Sequence, residues 1–241
     1  MARIKLCFLW HMHQPFYRDL VGGEYRLPWT RMHALKDYYG MVKILEEFPD
    51  IRQTFNLVPS LLLQLEEYAE GKAQDRFLDV VLKEAEELSE HEKEFLLGFS
   101  FQANEERVIN RYSRYAELLA IKRQNSQIPG RAVSAFSAPM IRDLQVLSQL
   151  AWFDEEYLAK DCEIAALKQK GRDFTRADQQ VIGRKEKELL GKVLEVYRQA
   201  AQSGQIEVST SPFYHPILPL LCDSNIADIS HPYVALPEQF A

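Results

Sequence analysis

The stretch LCFLWHMHQPFYRD, residues 6–19, decides how this chain can fold. Apolar residues from Leu6 to Trp10 run without interruption into His11 and His13, then into Gln14 and Pro15. A short apolar run bounded by a loop reads as a buried strand, expected here over residues 3–10. Residues i and i+2 of a strand point to one face. If the strand carries through His13, both imidazoles stand together at its C-terminal end, where parallel α/β folds collect their ligands.

Working outward, Pro15, the Gly22-Gly23 pair and Pro28 make residues 11–30 a long loop. Leu35, Tyr38, Tyr39, Val42 and Leu45 then fall on one face of a helix that Pro49 ends. IRQTFNLV (51–58) reads as a second strand, and Pro59-Ser60 opens another helix, a βα order that favours parallel pairing. From residue 60 to 203 almost everything reads as helix. Ser89-x-x-Glu92 reads as a capping box and Thr175-x-x-Asp178 as a second helix start. Val108, Ile109, Tyr112, Tyr115, Leu118 and Leu119 form an amphipathic stripe. Residues 125–139, with Pro129-Gly130 and Pro139, are the best internal linker, and charge-dense GRKEKELLGK (183–192) reads as a solvated helix face. The strand signal returns in GQIEVSTS (204–211), followed by the aromatic, histidine and proline cluster PFYHPILPLL. The fold class is therefore α/β, with parallel strands at about 3–10, 51–57 and 205–210. A closed barrel needs roughly eight strands, so three make either a small open sheet or part of a barrel.

Composition narrows the function. The 241 residues are 46% hydrophobic, enough for a sizeable core, and the net charge of −6 gives no electrostatic reason to expect nucleic acid. Cys7, Cys162 and Cys222 are widely spaced and odd in number, which fits buried free thiols in a reducing compartment. The apolar patch in residues 1–10 is too short to span a membrane and has no signal-peptide cleavage site. A cytoplasmic protein without membrane contact is expected.

His11 and His13 at one strand end, with Glu207 on another, would suit a polyol: imidazoles donate and accept, a carboxylate accepts, and an aromatic such as Trp29 offers an apolar face. Each residue also has a plainer role. A histidine at a strand end is often structural, Glu207 could be a surface carboxylate, and His215 could simply order its proline-flanked turn. HxH alone is short of the third or fourth ligand a metal needs. Residue types and spacing leave these readings side by side.

WHMHQPFY (10–17) and GQIEVSTSPFYHPILPLL (204–221) together resemble the first two signature regions of glycoside hydrolase family 57, and LPWTRMHALKDYYGMVKILEEFPDIRQTFNLVPSLLLQLEEY resembles its α-amylase-type members. The resemblance covers nearly the whole chain, in matching block order. It implies a partial (β/α)7 barrel, with residues 1–241 the N-terminal part of one catalytic domain and 60–203 a mostly helical insertion. It implies retaining hydrolysis or transfer of α-glucosidic bonds, on starch, glycogen or maltodextrin, without metal or other cofactor. Carried over by position, His13 and Glu207 line the sugar site, with His11, Trp29 and His215 close to the same cleft.

The resemblance stops short of catalysis. The family's nucleophilic glutamate and acid aspartate belong to later signatures that are not found here, and Glu238 lacks the required Trp-Pro context. This chain alone is expected to be inactive, with no catalytic residue of its own. Two other readings stand beside this one. One is a metal-dependent hydrolase of the amidohydrolase or deacetylase type using HxH, although His33 and His91 lie on apparent helices and no clear Asp–His pair follows. The other is a non-catalytic carbohydrate-binding module. Geometrically, strand 3–10 is expected beside strand 205–210, with His13 and Glu207 within direct or one-water reach. The last strand should be an unpaired edge, open to self-association or covered by residues 222–241.

Overall fold

A computed structural model describes residues 4–128 and 130–236. Five strands lie in it: β1 (Leu9–Met12), β2 (Glu24–Tyr25), β3 (Gln53–Leu57), β4 (Gln74–Asp75) and β5 (Ile206–Ser209). β1, β3 and β5 form one parallel sheet in that order, and β2 pairs with β4 in a two-residue parallel ladder. The expected α/β class and parallel strands are present, and the sheet is open; no closed barrel forms among the described residues.

Two sequence expectations need correction. The first strand is Leu9–Met12, not 3–10, because β3 begins at Gln53 and only residues level with it can join the ladder. Residues 4–8 stay exposed without regular structure. Nor does β1 lie beside β5: β3 stands between them and pairs with both. Its Phe55 is fully buried, as a central strand residue should be.

The pairing separates two faces. Leu9, Thr54 and Glu207 share one row, and His11, Asn56 and Ser209 the next, all on the same side. Trp10, Phe55 and Val208 point the other way, where Tyr197 of helix Arg176–Gln202 meets Phe55 edge-on with ring centroids 5.4 Å apart. The first side is open: Leu9, His11, Glu207 and Ser209 are all exposed. β5 is an edge, and the described part of the tail, 222–236, contributes no buried residue that could cover it.

Helices supply the rest of the core. The expected helix before Pro49 begins at Trp29 and passes through a π-helical turn at Ala34–Tyr38; Leu35, Tyr38, Tyr39, Val42 and Leu45 are all buried. Both capping boxes are formed, at Ser89–Glu92 and Thr175–Asp178. The stripe from Val108 to Leu119 is buried throughout, although only Ser113–Asn125 is α-helix. The stretch 125–139 is no linker between separate cores. Val133 and Phe136 are buried in the same apolar cluster as the rest, while Pro129 lies outside the described residues.

GRKEKELLGK is not a solvated face either. Ile182, Glu186, Leu189, Leu190 and Val193 fall at helical spacing on the buried side of Arg176–Gln202. Glu186 therefore enters the core, where its Oε2 accepts from Arg31 Nη1 at 2.6 Å. Arg31 is fully buried and also donates to Asp75 Oδ2 at 2.9 Å and Gln149 Oε1 at 2.8 Å. One guanidinium thus joins helix Trp29–His33, β4, helix Ala138–Leu150 and the long helix. The cysteines also depart from expectation: all three are free, but exposed. Cys7 precedes β1 in the uncovered segment, and Cys222 ends a helix, Leu218–Cys222, that buries nothing.

Candidate saccharide site

β1 ends at Met12, and Val58 N donates to Met12 O at 3.1 Å, carrying the ladder one step past the strand. This extension holds His13 on the face of His11, as the i, i+2 spacing predicted. Their ring centroids are 5.7 Å apart. His215 arrives from the other end of the chain and completes a cluster, 4.3 Å from His11 and 5.3 Å from His13. Its backbone lies in the left-handed region at φ 51°, unusual for a residue with a side chain, and its N–H closes a turn on Pro212 O at 2.8 Å. That turn is fastened to β3 and to the helix that follows it, Pro59–Ala69: Thr210 Oγ1 donates to Leu57 O at 2.9 Å, and Ser60 N donates to Phe213 O at 3.1 Å.

Asn56, on the central strand, orients the cluster. Its Nδ2 donates to Ser209 Oγ at 3.2 Å, and its Oδ1 accepts from Ser211 Oγ at 3.0 Å and lies 2.9 Å from His11 Nδ1. With Oδ1 as the acceptor, the His11 proton is assigned to Nδ1, and Nε2 keeps a lone pair for a ligand. Burial, followed by the neighbouring His215 and His11, lowers the pKa of His13 from 6.5. The ring nearest the loop is thereby held in its neutral form at neutral pH.

Behind the histidines, Gln14 joins two tyrosines. Its Nε2 donates to Tyr38 Oη at 2.7 Å, and its Oε1 accepts from Tyr17 Oη at 2.8 Å. Gln64, fully buried, donates to Pro15 O and accepts from Tyr17 N, clamping the loop after His13. Sequence reading missed Asn56 and Gln64. Each is an amide within an apolar segment, and a buried amide must find partners, which is the signal that could have marked them.

Glu207 lies on the correct face but lower. It is level with Thr54, whose Oγ1 donates to Glu207 Oε2 at 3.4 Å. His13 and Glu207 are separated by four residues of rise and two strand spacings, which puts their Cα atoms roughly 16 Å apart. The expected direct or one-water contact is therefore not made: Glu207 is the second residue of β5, whereas His13 lies past the end of β1. Trp29 is partly buried against the core, with its ring 6.2 Å from that of Trp152.

An unforeseen pair lies along the same helical run. His33 Nδ1 and Asp37 Oδ2 are 2.6 Å apart across the π-helical turn, with Trp152 edge-on to the imidazole at 5.3 Å. Burial opposes ionisation of Asp37, but His33 and Lys36 outweigh it and hold the carboxyl below its usual pKa. Although three imidazoles meet at the sheet end, no group of three His, Cys, Asp or Glu among the described residues is placed to hold a metal ion. No helix among them is long and apolar enough to cross a membrane.

The site thus offers fixed donors and acceptors, with one carboxylate, on the open face of a parallel sheet. Neither the curated proteins nor the solved structures contain a match to this chain. A family model does match: Glyco_hydro_57, described as "Glycosyl hydrolase family 57", over residues 7–233. This span contains the three strands, the helices between them and all three clustered histidines, and the chain belongs to glycosyl hydrolase family 57.

Proposed function

We propose that this chain is the sugar-gripping part of a retaining glycosidase or glucanotransferase that acts on α-glucans. The observation that carries the reading is the meeting of His11, His13 and His215 over Asn56, at the C-terminal end of a parallel sheet. Imidazoles suit this chemistry in two ways. They pair with sugar hydroxyls as donor and acceptor at once. His13, with its lowered pKa, also places no positive charge where glycoside cleavage develops an oxocarbenium-like centre, while the Glu207 carboxylate on the same face favours it. The separation of Glu207 from His13 suits a ligand longer than one sugar ring, lying across Thr54, Asn56 and His11.

The reactive carboxyl pair lies elsewhere in this reading. Retaining enzymes hold two carboxyl groups about 5–5.5 Å apart, and Glu207 is the one carboxylate among the six residues that form the two rows of the open face. The polypeptide should therefore bind α-glucan without cleaving it. Its three free cysteines support a reducing, cytoplasmic setting.

Calorimetry with maltoheptaose, run beside a reducing-sugar assay, tests this proposal. Binding without turnover is expected, with His13→Ala and Glu207→Gln each weakening it. Turnover that survives repurification, or affinity unchanged in both variants, would overturn it.

A further inference from the structure

Three aromatic rings stand beside the histidine cluster and have no role in the site described so far. Phe16 follows His13 by three residues, and Phe213 and Tyr214 immediately precede His215. The two segments bring them together: ring centroids are 6.2 Å apart for Phe16 and Phe213, 5.9 Å for Phe16 and Tyr214, and 4.7 Å for Phe213 and Tyr214. Tyr214 meets both phenylalanines edge-to-face, at 74° and 83°, yet remains 57% exposed. Phe213 is 40% exposed. A ring cluster that still shows so much of Tyr214 and Phe213 to solvent is not filling a core.

Position makes the trio useful. The left-handed turn that aims His215 at His11 and His13 also fixes where Tyr214 and Phe213 point, and the bond from Ser60 N to Phe213 O anchors it. Hydroxyl-binding imidazoles and a ring platform thus share one rigid turn. A pyranose presents those two surfaces, hydroxyls at its edge and C–H groups on its face. We infer that Phe16, Phe213 and Tyr214 form a stacking subsite for the next sugar ring of the glucan held at the histidines. The inference rests on the α-glucan reading above and adds to it a place for a further ring, and so a preference for longer chains.

The test measures affinity for maltose and for maltoheptaose by calorimetry or ligand-observed NMR. Tyr214→Ala removes the exposed ring without opening a buried cavity, and a melting curve verifies its fold. Phe213→Ala provides a second truncation. The expected loss in maltoheptaose affinity is about three- to tenfold for Tyr214→Ala, the range of one aromatic contact. Tyr214→Phe should keep the affinity, because the face and not the hydroxyl does the stacking, and maltose should bind all variants alike. Unchanged maltoheptaose affinity in both truncations would overturn the platform and leave the saccharide site standing. Equal losses for maltose and maltoheptaose would overturn it too, since the rings would then only be shaping the histidines. If the unaltered protein failed to bind maltoheptaose at all, the reading beneath the inference would fall with it.

Discussion

Replacing Arg31 with methionine tests the packing that ties the segment between β3 and β5 to the helix of Trp29 and His33. Arg31 is fully buried and serves Asp75, Glu186 and Gln149 from three separate elements. Methionine fills similar space but leaves two buried carboxylates without their cation. Breaking a buried ion pair from one side costs about 3–5 kcal/mol. For a chain of this length 1 kcal/mol corresponds to roughly 2–4 °C in Tm, so Arg31→Met should melt about 6–20 °C lower. The loss should also depend on pH. Burial already raises the pKa of Glu186, against the opposing pull of Arg31. Asp75, by contrast, keeps bonds from Tyr68 Oη and Leu78 N, each at 3.0 Å. Without the guanidinium the Glu186 pKa rises further. A raised folded-state pKa lends stability that is fully present below the unfolded carboxylate value and lost as pH rises through the folded one. The gap between variant and parent should therefore narrow from pH 7.5 to pH 5, and Arg31→Met with Glu186→Gln should recover part of it at pH 7.5. Calorimetric melting at the two pH values reads all of this. A single variant melting within about 2 °C of the parent at both pH values would refute the reasoning.

Other consequences can be measured separately. The lowered pKa of His13 means that the unfolded state takes up its proton first, so stability should fall as pH drops below 6.5 through the folded value. Urea midpoints at pH 7.5 and 5.5 should diverge less in His13→Gln than in the parent, and equal divergence would contradict the shift. A chelator should leave the melting temperature unchanged, since no described group of three ligands is placed for a metal; a large drop would revive the metal-hydrolase alternative. The open β5 edge, with Val208 46% exposed, should make the isolated chain self-associate as concentration rises. Light scattering that shows a monomer across that range would remove this expectation.

The sequence carried the parts of this fold that depend on local periodicity. The positions of β3 and β5, the helix starts at Ser89 and Thr175, and the stripe of Leu35, Tyr38, Tyr39, Val42 and Leu45 follow from spacing and cap chemistry alone. The shared face of His11 and His13 follows from the two-residue repeat of a strand. What spacing cannot supply is register between distant segments. The order of β1, β3 and β5, and so the offset of Glu207 from His13, is fixed by which residue of β3 each neighbour faces. Glu186 was misread because its segment is dense in charge, and only the helix crossing that delivers Arg31 makes burial tolerable. Asn56 was invisible for a similar reason, since its three partners, His11, Ser209 and Ser211, come from two segments distant in sequence. The His33–Asp37 pair does lie at i, i+4, and a search along the helix for close charged pairs would have found it.

The most direct measurement is an NMR titration of the imidazole resonances with maltoheptaose, with cellohexaose as the comparison. If His11, His13 and His215 grip an α-glucan, all three rings should shift together with one binding constant, the His11 Nδ1 proton should stay in place on Asn56, and cellohexaose should cause far smaller changes. Three rings that ignore maltoheptaose, or respond equally to both sugars, would contradict the account.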